Sequence, residues 1–337
     1  MDTMQAIVLE GFGEVDQFRQ TTLPRPVPKD HELLIQIRAA AFNPIDYQMR
    51  QGRRESAHMH SPVLGRELAG TVVETGRHTT GFLPGDAVIA AAGSKGSNGT
   101  YAEYIALDYR MVAHMPAGIS FETAAAVPTA GLTAWQAFSR MNVQPGESVF
   151  ITGGAGGVGS VLIKLLRAHG TSFIMSTAGN EHSVAALIAA GLSPCEIISY
   201  KQEQLEEKIM AIRGQQPFDW AVDIAGGSIS ATAAAVLGVN KGYADITFLS
   251  TPRTRELLFD KGCFILNISN YAYAADNRLE WYGQTLQHMT SLLQAGVITP
   301  PAVHITGKLS AAAVRQAHMM MEANQTNGRK LVMYMDQ

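Results

Sequence analysis

Cysteine is nearly absent from this 337-residue chain, and the two that occur, Cys195 and Cys263, stand far apart. Such a pair excludes a disulfide scaffold and a multi-cysteine zinc lobe, and neither thiol has a neighbouring sequence partner that would mark a nucleophile. Charge is scarce as well. Only 16% of residues are Asp, Glu, Lys or Arg and the formal net charge is -3, so the chain carries no basic footprint for nucleic acid or for an anionic membrane. No apolar run approaches the roughly 18 residues that a membrane helix needs. The opening MDTMQAIVLE lacks a basic segment followed by an apolar core, and the expectation is a soluble, cytoplasmic protein. Internal repeats and low-complexity linkers are missing too. With 46% hydrophobic residues the chain can bury a large core, and its length favours two domains.

Glycine, by contrast, is plentiful, and its most informative cluster lies in residues 147–170, ESVFITGGAGGVGSVLIKLLRAHG. Ser148 to Thr152 reads as a buried parallel strand. Gly154, Gly156 and Gly159 follow at the spacing G-x-G-x-x-G, with Gly157 and Val158 between the last two. The first glycine is expected to make the tight turn, the second to let the backbone approach a pyrophosphate, and the third to let a helix sit close to the sheet. Val158, Val161, Leu162, Leu165 and Leu166 then recur at helical intervals, and Gly170 ends the helix. The helix N-terminus points its N–H groups and dipole at the turn, which makes an anion site. No Gly-Lys-Ser/Thr closes the turn, which disfavours an ATP-binding P-loop.

Before this stretch, short strands predominate: Gln5–Leu9, Glu32–Ala40, Glu67–Glu74, Ala87–Ala91 and Tyr101–Ile105, punctuated by proline and glycine. They suggest a partly closed β-barrel-like domain. Apolar helical stretches cover Phe121–Val127 and Leu132–Met141, separated by Pro128 to Gly131. After the glycine motif, strands and helices alternate, with strands expected at Ser172–Met175, Glu196–Ser199, Phe218–Ile224, Tyr243–Leu249 and Gly262–Ile268. Six strands with intervening helices match a doubly wound parallel sheet. Tyr271 to Trp281 reads as a loop leading into a helix over 279–294. A last helix and strand, Ser310–Met321 and Lys330–Met335, are expected to return to the first domain.

An acid that binds the adenosine ribose of NAD should close the second strand, about 20 residues past the first glycine. Met175, Ser176, Thr177 and Ala178 stand there instead. Small hydroxyl residues leave room for a 2′-phosphate and can donate to it, so NADP(H) is favoured. Lys201, His182, Arg329 and Lys330 are candidate cations for that phosphate.

Taken together, AAAFNPIDYQMRQG at 39–52, LGRELAGTVVETG at 64–76, FLPGDAV at 82–88, VPTAGLTAW at 127–135, TGGAGGVGS at 152–160, FDWAVDIAGG at 218–227 and NGRKLVM at 327–333 resemble the medium-chain dehydrogenase/reductase superfamily. The resemblance is to its zinc-free, quinone-oxidoreductase-like branch. It implies an α/β fold in which a GroES-like β-rich catalytic domain, residues 1–125 and 272–337, is joined to a Rossmann doubly wound parallel sheet, residues 126–271. It also implies a cofactor in the cleft and a homodimer. Where zinc-dependent relatives have metal ligands, this chain has the Asn43-Pro44-Ile45-Asp46 segment and Arg66, so no metal site is expected. His58-x-His60 reads as a solvated loop. The branch's tyrosine falls one position early, at Tyr47, with Gln48 in the usual place. Tyr200, with Lys201 beside it, and Arg329 or Lys330 match the family's 2′-phosphate contacts, and Thr129 is expected near the nicotinamide.

Without zinc, an alcohol or aldehyde loses its Lewis acid, whereas a quinone or enone needs only a donor for a delocalised oxyanion. The expected activity is therefore hydride transfer from NADPH to a small-molecule quinone. Asn43 is expected to orient the acceptor or the nicotinamide ribose, Arg66 to stabilise the oxyanion and Tyr47 to stack or donate. Asp223 reads as architectural, whereas Glu67 is a candidate support for the local architecture with no role that the sequence assigns. The alternatives are a 2-alkenal, enone or enoyl reductase and a non-catalytic NADPH-binding protein.

Overall fold

The computed structural model describes residues 2–93 and 98–336 and divides into two compact units. The first comprises Met1–Leu132, Tyr271–Gly296 and Pro300–Gln337, the second Thr133–Asn270 and Val297–Thr299.

A seven-stranded sheet forms the first unit, in the order Val303–Lys308, Lys330–Tyr334, Glu32–Ala41, Glu67–Thr75, Ala87–Ala91 and Val112–His114, with Tyr104–Asp108 also on Glu32–Ala41. The hairpin of Thr3–Leu9 and Phe18–Pro24 lies apart from it as a two-stranded sheet. Leu33, Ile35, Ile37, Leu68, Val72, Val88 and Leu331 are buried in one core, and the alternation of apolar residues along Glu32–Ala41 follows from it. Register carries the site. Val332 faces Ala41 across an antiparallel ladder, and Ala41 faces Glu67 across the next, so the C-terminal strand comes in beside the start of Glu67–Thr75.

The second unit is a six-stranded parallel sheet in the order Ile197–Ser199, Phe173–Ala178, Ser148–Thr152, Phe218–Asp223, Leu237–Asp245 and Phe264–Asn267. Strand order reverses at Ser148–Thr152, the strand that carries the glycine turn. Phe150, Ala221, Val222 and Tyr243 are buried, as expected of strands covered on both faces.

Several boundaries differ from the sequence reading. Pro128 to Gly131 is the first turn of the helix Pro128–Met141, because proline fits a helix start where its missing N–H is not needed. Tyr271–Ala275 is a helical turn rather than loop. The strand expected at Tyr101 begins at Tyr104, while Tyr101 O accepts from Ile7 N–H at 2.8 Å beside an isolated bridge between Ala6 and Ala102. Strands Phe18–Pro24 and Val303–Lys308 and helices Pro44–Arg50 and Pro252–Asp260 were not apparent from apolar spacing. Both helices open on a proline, a start signal that a periodicity search passes over.

Candidate functional site

In the second unit the tight turn falls one residue earlier than expected. Gly153 has φ +69°, whereas Gly154 is packed: a Cβ there would lie 2.3 Å from Ser176 Oγ. Gly159 is packed as well, since its Cβ would lie 2.4 Å from Gly154 Cα. Gly156 differs from both. It has ordinary extended angles, φ −77° and ψ 177°, and an added Cβ would meet only Gly153 O, at 3.5 Å. The helix Gly157–Ala168 starts there, with Gly157, Val158 and Gly159 in its first turn. A bare backbone beside open space at a helix N-terminus fits a dinucleotide pyrophosphate.

Around the expected 2′-phosphate site one assignment fails. Ser176 is fully buried and its hydroxyl donates to Ile151 O at 2.8 Å, so it fastens two strands and has no donor for a phosphate. Thr177 is buried beside it. Tyr200 is 40% exposed, its N–H donates to Ala178 O, and its hydroxyl lies 2.4 Å from where a Gly179 Cβ would be. Gly179 is thus the residue that lets Tyr200 lie across the end of Phe173–Ala178. Lys201 and His182 are exposed. Asp223 is architectural: one oxygen accepts from Thr152 Oγ1 at 2.6 Å and Gly226 N–H at 2.9 Å, the other from Tyr243 Oη at 2.9 Å.

In the first unit, Glu67 is the centre of a buried polar cluster. Its Oε2 accepts from Thr129 N–H at 2.7 Å, its Oε1 accepts from Asn43 Nδ2 at 2.8 Å, and the Lys330 ammonium is paired with it. Lys330 Nζ also donates to Asn43 Oδ1 at 2.6 Å. The Asn43 amide bonds Glu67 through its nitrogen and Lys330 through its oxygen, and so positions both. One expectation is corrected here. Lys330 is buried on a carboxylate and is not a phosphate ligand, whereas Arg329 is exposed. With an ammonium on its carboxylate and an amide beside it, this donor set does not suit a divalent cation. Among the described residues, no group of three or more His, Cys, Asp or Glu side chains is placed to hold a metal ion.

Asp46 lies within the same region, fully buried, with Oδ2 accepting from Asn43 N–H at 2.8 Å. Burial outweighs that hydrogen bond and the nearby Arg66 and Lys330 charges, and pushes its pKa up to about 7. The unfolded chain would release this proton near pH 4. Native Asp46 therefore binds its proton more tightly, and its contribution to stability is lost as pH rises from about 4 through 7. Asp46→Asn keeps an acceptor for the Asn43 N–H and removes the titration. Its unfolding free energy relative to wild type is expected to climb from about pH 4 to pH 7 and then level off, with a limit on the order of 4 kcal/mol. A gap that does not change with pH would contradict this.

Arg66 is only 8% exposed; its Nη1 donates to Gly93 O at 2.8 Å and its guanidinium lies 4.7 Å from the Tyr271 ring centroid. His58 stacks on the same tyrosine, with centroids 4.2 Å apart and planes inclined by 19°. The expected solvated loop at His58 is accordingly corrected: the residue is half-buried on an aromatic partner, and burial with the Arg66 charge lowers its pKa. The Tyr271 hydroxyl is buried without a hydrogen-bond partner among the described residues, and burial raises its pKa to about 12. Tyr47 is half-buried on the helix Pro44–Arg50. Sequence reading passed over Tyr271 because more than 200 residues separate it from Arg66. The cluster of Tyr271, Tyr273, Trp281 and Tyr282 in a polar setting was the available signal.

Residues 29–117 match the alcohol dehydrogenase GroES-like domain. The human NAD(P)H oxidoreductase RTN4IP1, mitochondrial, is 29% identical over 271 residues, 73% of this chain and 66% of that protein. The Arabidopsis thaliana chloroplastic NADPH-dependent alkenal/one oxidoreductase is 32% identical over 213 residues, 60% of this chain and 54% of that one. Each alignment thus spans less than two thirds of the relative's length. The solved quinone oxidoreductase of Coxiella burnetii superposes with a TM-score of 0.82 at 26% identity, covering 99% of both chains. A GroES-like sheet unit with a parallel Rossmann sheet is the architecture of the medium-chain dehydrogenase/reductase superfamily, and the chain belongs to it. Quinone oxidoreductases are among the proteins that it resembles. Among the described residues no helix is long and apolar enough to cross a membrane.

Proposed function

We propose that the protein is an NADPH-dependent oxidoreductase that transfers hydride to a quinone without a metal ion. The observation that carries this reading is Gly156, whose backbone borders open space at a helix N-terminus. A bound nicotinamide supplies the hydride, and the chain supplies orientation and charge. The Gly156 turn holds the pyrophosphate. Tyr200 and Lys201 favour a 2′-phosphate where no acid closes Phe173–Ala178, and Arg329 is a further cation for it. Thr129, fastened to Glu67 through its N–H, contacts the nicotinamide. Arg66 stabilises the oxyanion that forms when hydride reaches the acceptor, and the Tyr271 hydroxyl next to it, with Tyr47, is a donor to the same oxygen. A proton from solvent completes the hydroquinone.

An alkenal or enone reductase is the second reading, supported by the likeness to the Arabidopsis enzyme. The protein is proposed to act as a homodimer. The strand Phe264–Asn267 ends the parallel sheet with Phe264 and Ile265 about half exposed, an apolar edge of the kind that natural sheets cover or pair.

The test follows NADPH oxidation at 340 nm with a small quinone and, in parallel, an enone, each repeated with NADH. Loss with the quinone and NADPH is the expected result. A response to the enone alone would move the protein to the second reading, equal use of NADH would remove the NADPH preference, and tight NADPH binding with no oxidation would leave a non-catalytic cofactor-binding protein.

A further inference from the structure

Three segments of the first unit close on one tyrosine. His58 ends the single turn Arg54–His58, whose backbone is fastened by Ser56 N–H to Arg53 O at 2.8 Å and by Met59 N–H to Ser56 O at 3.0 Å. Its imidazole centroid lies 4.2 Å from that of Tyr271 with the planes 19° apart, so it rests on the face of the ring and makes no hydrogen bond to the hydroxyl. Arg66 comes to the same ring, its guanidinium 4.7 Å from the centroid, and Gly93 makes that place possible. Gly93 has φ +73°, its carbonyl accepts from Arg66 Nη1 at 2.8 Å, and a Cβ there would lie 2.7 Å from that nitrogen. Burial and then the Arg66 charge, with Arg54 and His60 adding to it against Glu55, hold the His58 pKa below its ordinary value. A neutral imidazole can share the ring with a guanidinium without repulsion.

The group held in this way serves nothing inside the unit. The Tyr271 hydroxyl is buried and has no hydrogen-bond partner among the described residues. A buried donor left unpaired is costly, and a fold keeps one where something from outside supplies the acceptor. Stacking fixes where this donor points. A tyrosine with an open face can turn into other side-chain wells, and a displacement of about 1 Å at a reacting centre is enough to forfeit a transition-state contact. We infer that His58 is a positioning residue for the reaction: it touches neither acceptor nor cofactor, and by stacking on Tyr271 it aims the phenol hydroxyl, beside Arg66, at the acceptor oxygen that becomes negative as hydride arrives. This rests on the hydride-transfer reading above. The role belongs to the flat face of His58 and not to its ring nitrogens.

The experiment is a double-mutant cycle in the full-length protein, His58→Ala and Tyr271→Phe singly and together, with His58→Phe as the conservative replacement. NADPH oxidation with whichever of quinone or enone the wild type reduces gives kcat and KM. Tyr271→Phe keeps the ring and removes the donor, and should lower kcat about tenfold with KM changed by less than about threefold. His58→Ala should lower kcat about fivefold, and His58→Phe should restore it to within about twofold of wild type. In the Tyr271→Phe background His58→Ala should have almost no further effect, because the hydroxyl it aims is already gone. Fluorine NMR of protein carrying fluorotyrosine follows the ring without turnover. The Tyr271 resonance, identified by its loss in Tyr271→Phe, should sharpen in His58→Ala, as a ring free to reorient does, and stay broad in His58→Phe. Losses that add in the two backgrounds, failure of His58→Phe to restore kcat, or an unchanged resonance in His58→Ala would reduce His58 to packing and overturn the assignment. So would a Tyr271→Phe protein as fast as wild type, which would leave the hydride-transfer reading in place. If the wild type oxidised NADPH with neither acceptor, that reading would fail and this inference with it.

Discussion

Glu67→Ala is expected to destabilise the first unit by about 3–5 kcal/mol, the cost of leaving one member of a buried ion pair alone. The carboxylate is fully buried and Lys330 is 8% exposed, so removal strands an ammonium whose remaining partner is Asn43 Oδ1. Thr129 N–H and Asn43 Nδ2 lose their acceptor at the same time. Lys330→Met alone should be costly for the mirror-image reason, since it buries an unpaired carboxylate. The double variant Glu67→Gln with Lys330→Met should recover most of the loss, because the amide keeps an acceptor and no net charge stays buried. Thermal and denaturant unfolding of the apo protein would read this series. If Glu67→Ala cost less than about 1 kcal/mol, the value of an exposed pair, the buried-pair account of this cluster would fail.

This cluster also marks where sequence reading stops. The Rossmann sheet was legible because parallel strands buried on both faces are apolar runs, and a glycine motif between strand and helix fixes the first of them. Asp223 reads as architectural from the sequence, and its hydrogen bonds agree, whereas the sequence assigns Glu67 no role. Asn43 reads as a residue that orients the acceptor or the nicotinamide ribose, and Lys330, from the far end of the chain, donates to its amide oxygen. Nothing local to NPID announces that partner. Only the register from Val332 through Ala41 to Glu67 brings the lysine there. Ser176 misled for a related reason. A hydroxyl at a strand end suits a phosphate by composition, but its direction depends on the pleat, and the pleat points it at Ile151 O. His58 and Tyr271 meet from separate segments as well, and neither carries a local motif.

Gly156→Ala and Gly159→Ala lie three residues apart and should fail in opposite ways. At Gly156 alanine can adopt the existing φ of −77° and ψ of 177°, and its methyl would sit 3.5 Å from Gly153 O with no other contact. Apo stability is therefore expected to change by less than about 1 kcal/mol, the entropy gained in the unfolded chain offsetting a poorer helix N-cap. NADPH affinity is expected to fall on the order of a hundredfold. The methyl would fill the space a pyrophosphate oxygen needs, and two charge-assisted backbone hydrogen bonds of about 1.5–3 kcal/mol each are at stake. At Gly159 the added carbon would meet Gly154 Cα at 2.4 Å and its carbonyl carbon at 2.7 Å, backbone that cannot rotate away. That variant should melt well below wild type, with a loss of about 1–3 kcal/mol before any ligand is added. Apo melting curves and NADPH titrations on the two proteins separate the packing role from the cradle. Wild-type NADPH affinity in Gly156→Ala would mean that the space beside Gly156 holds no phosphate, and the nicotinamide-dependent reading would lose the observation on which it chiefly rests.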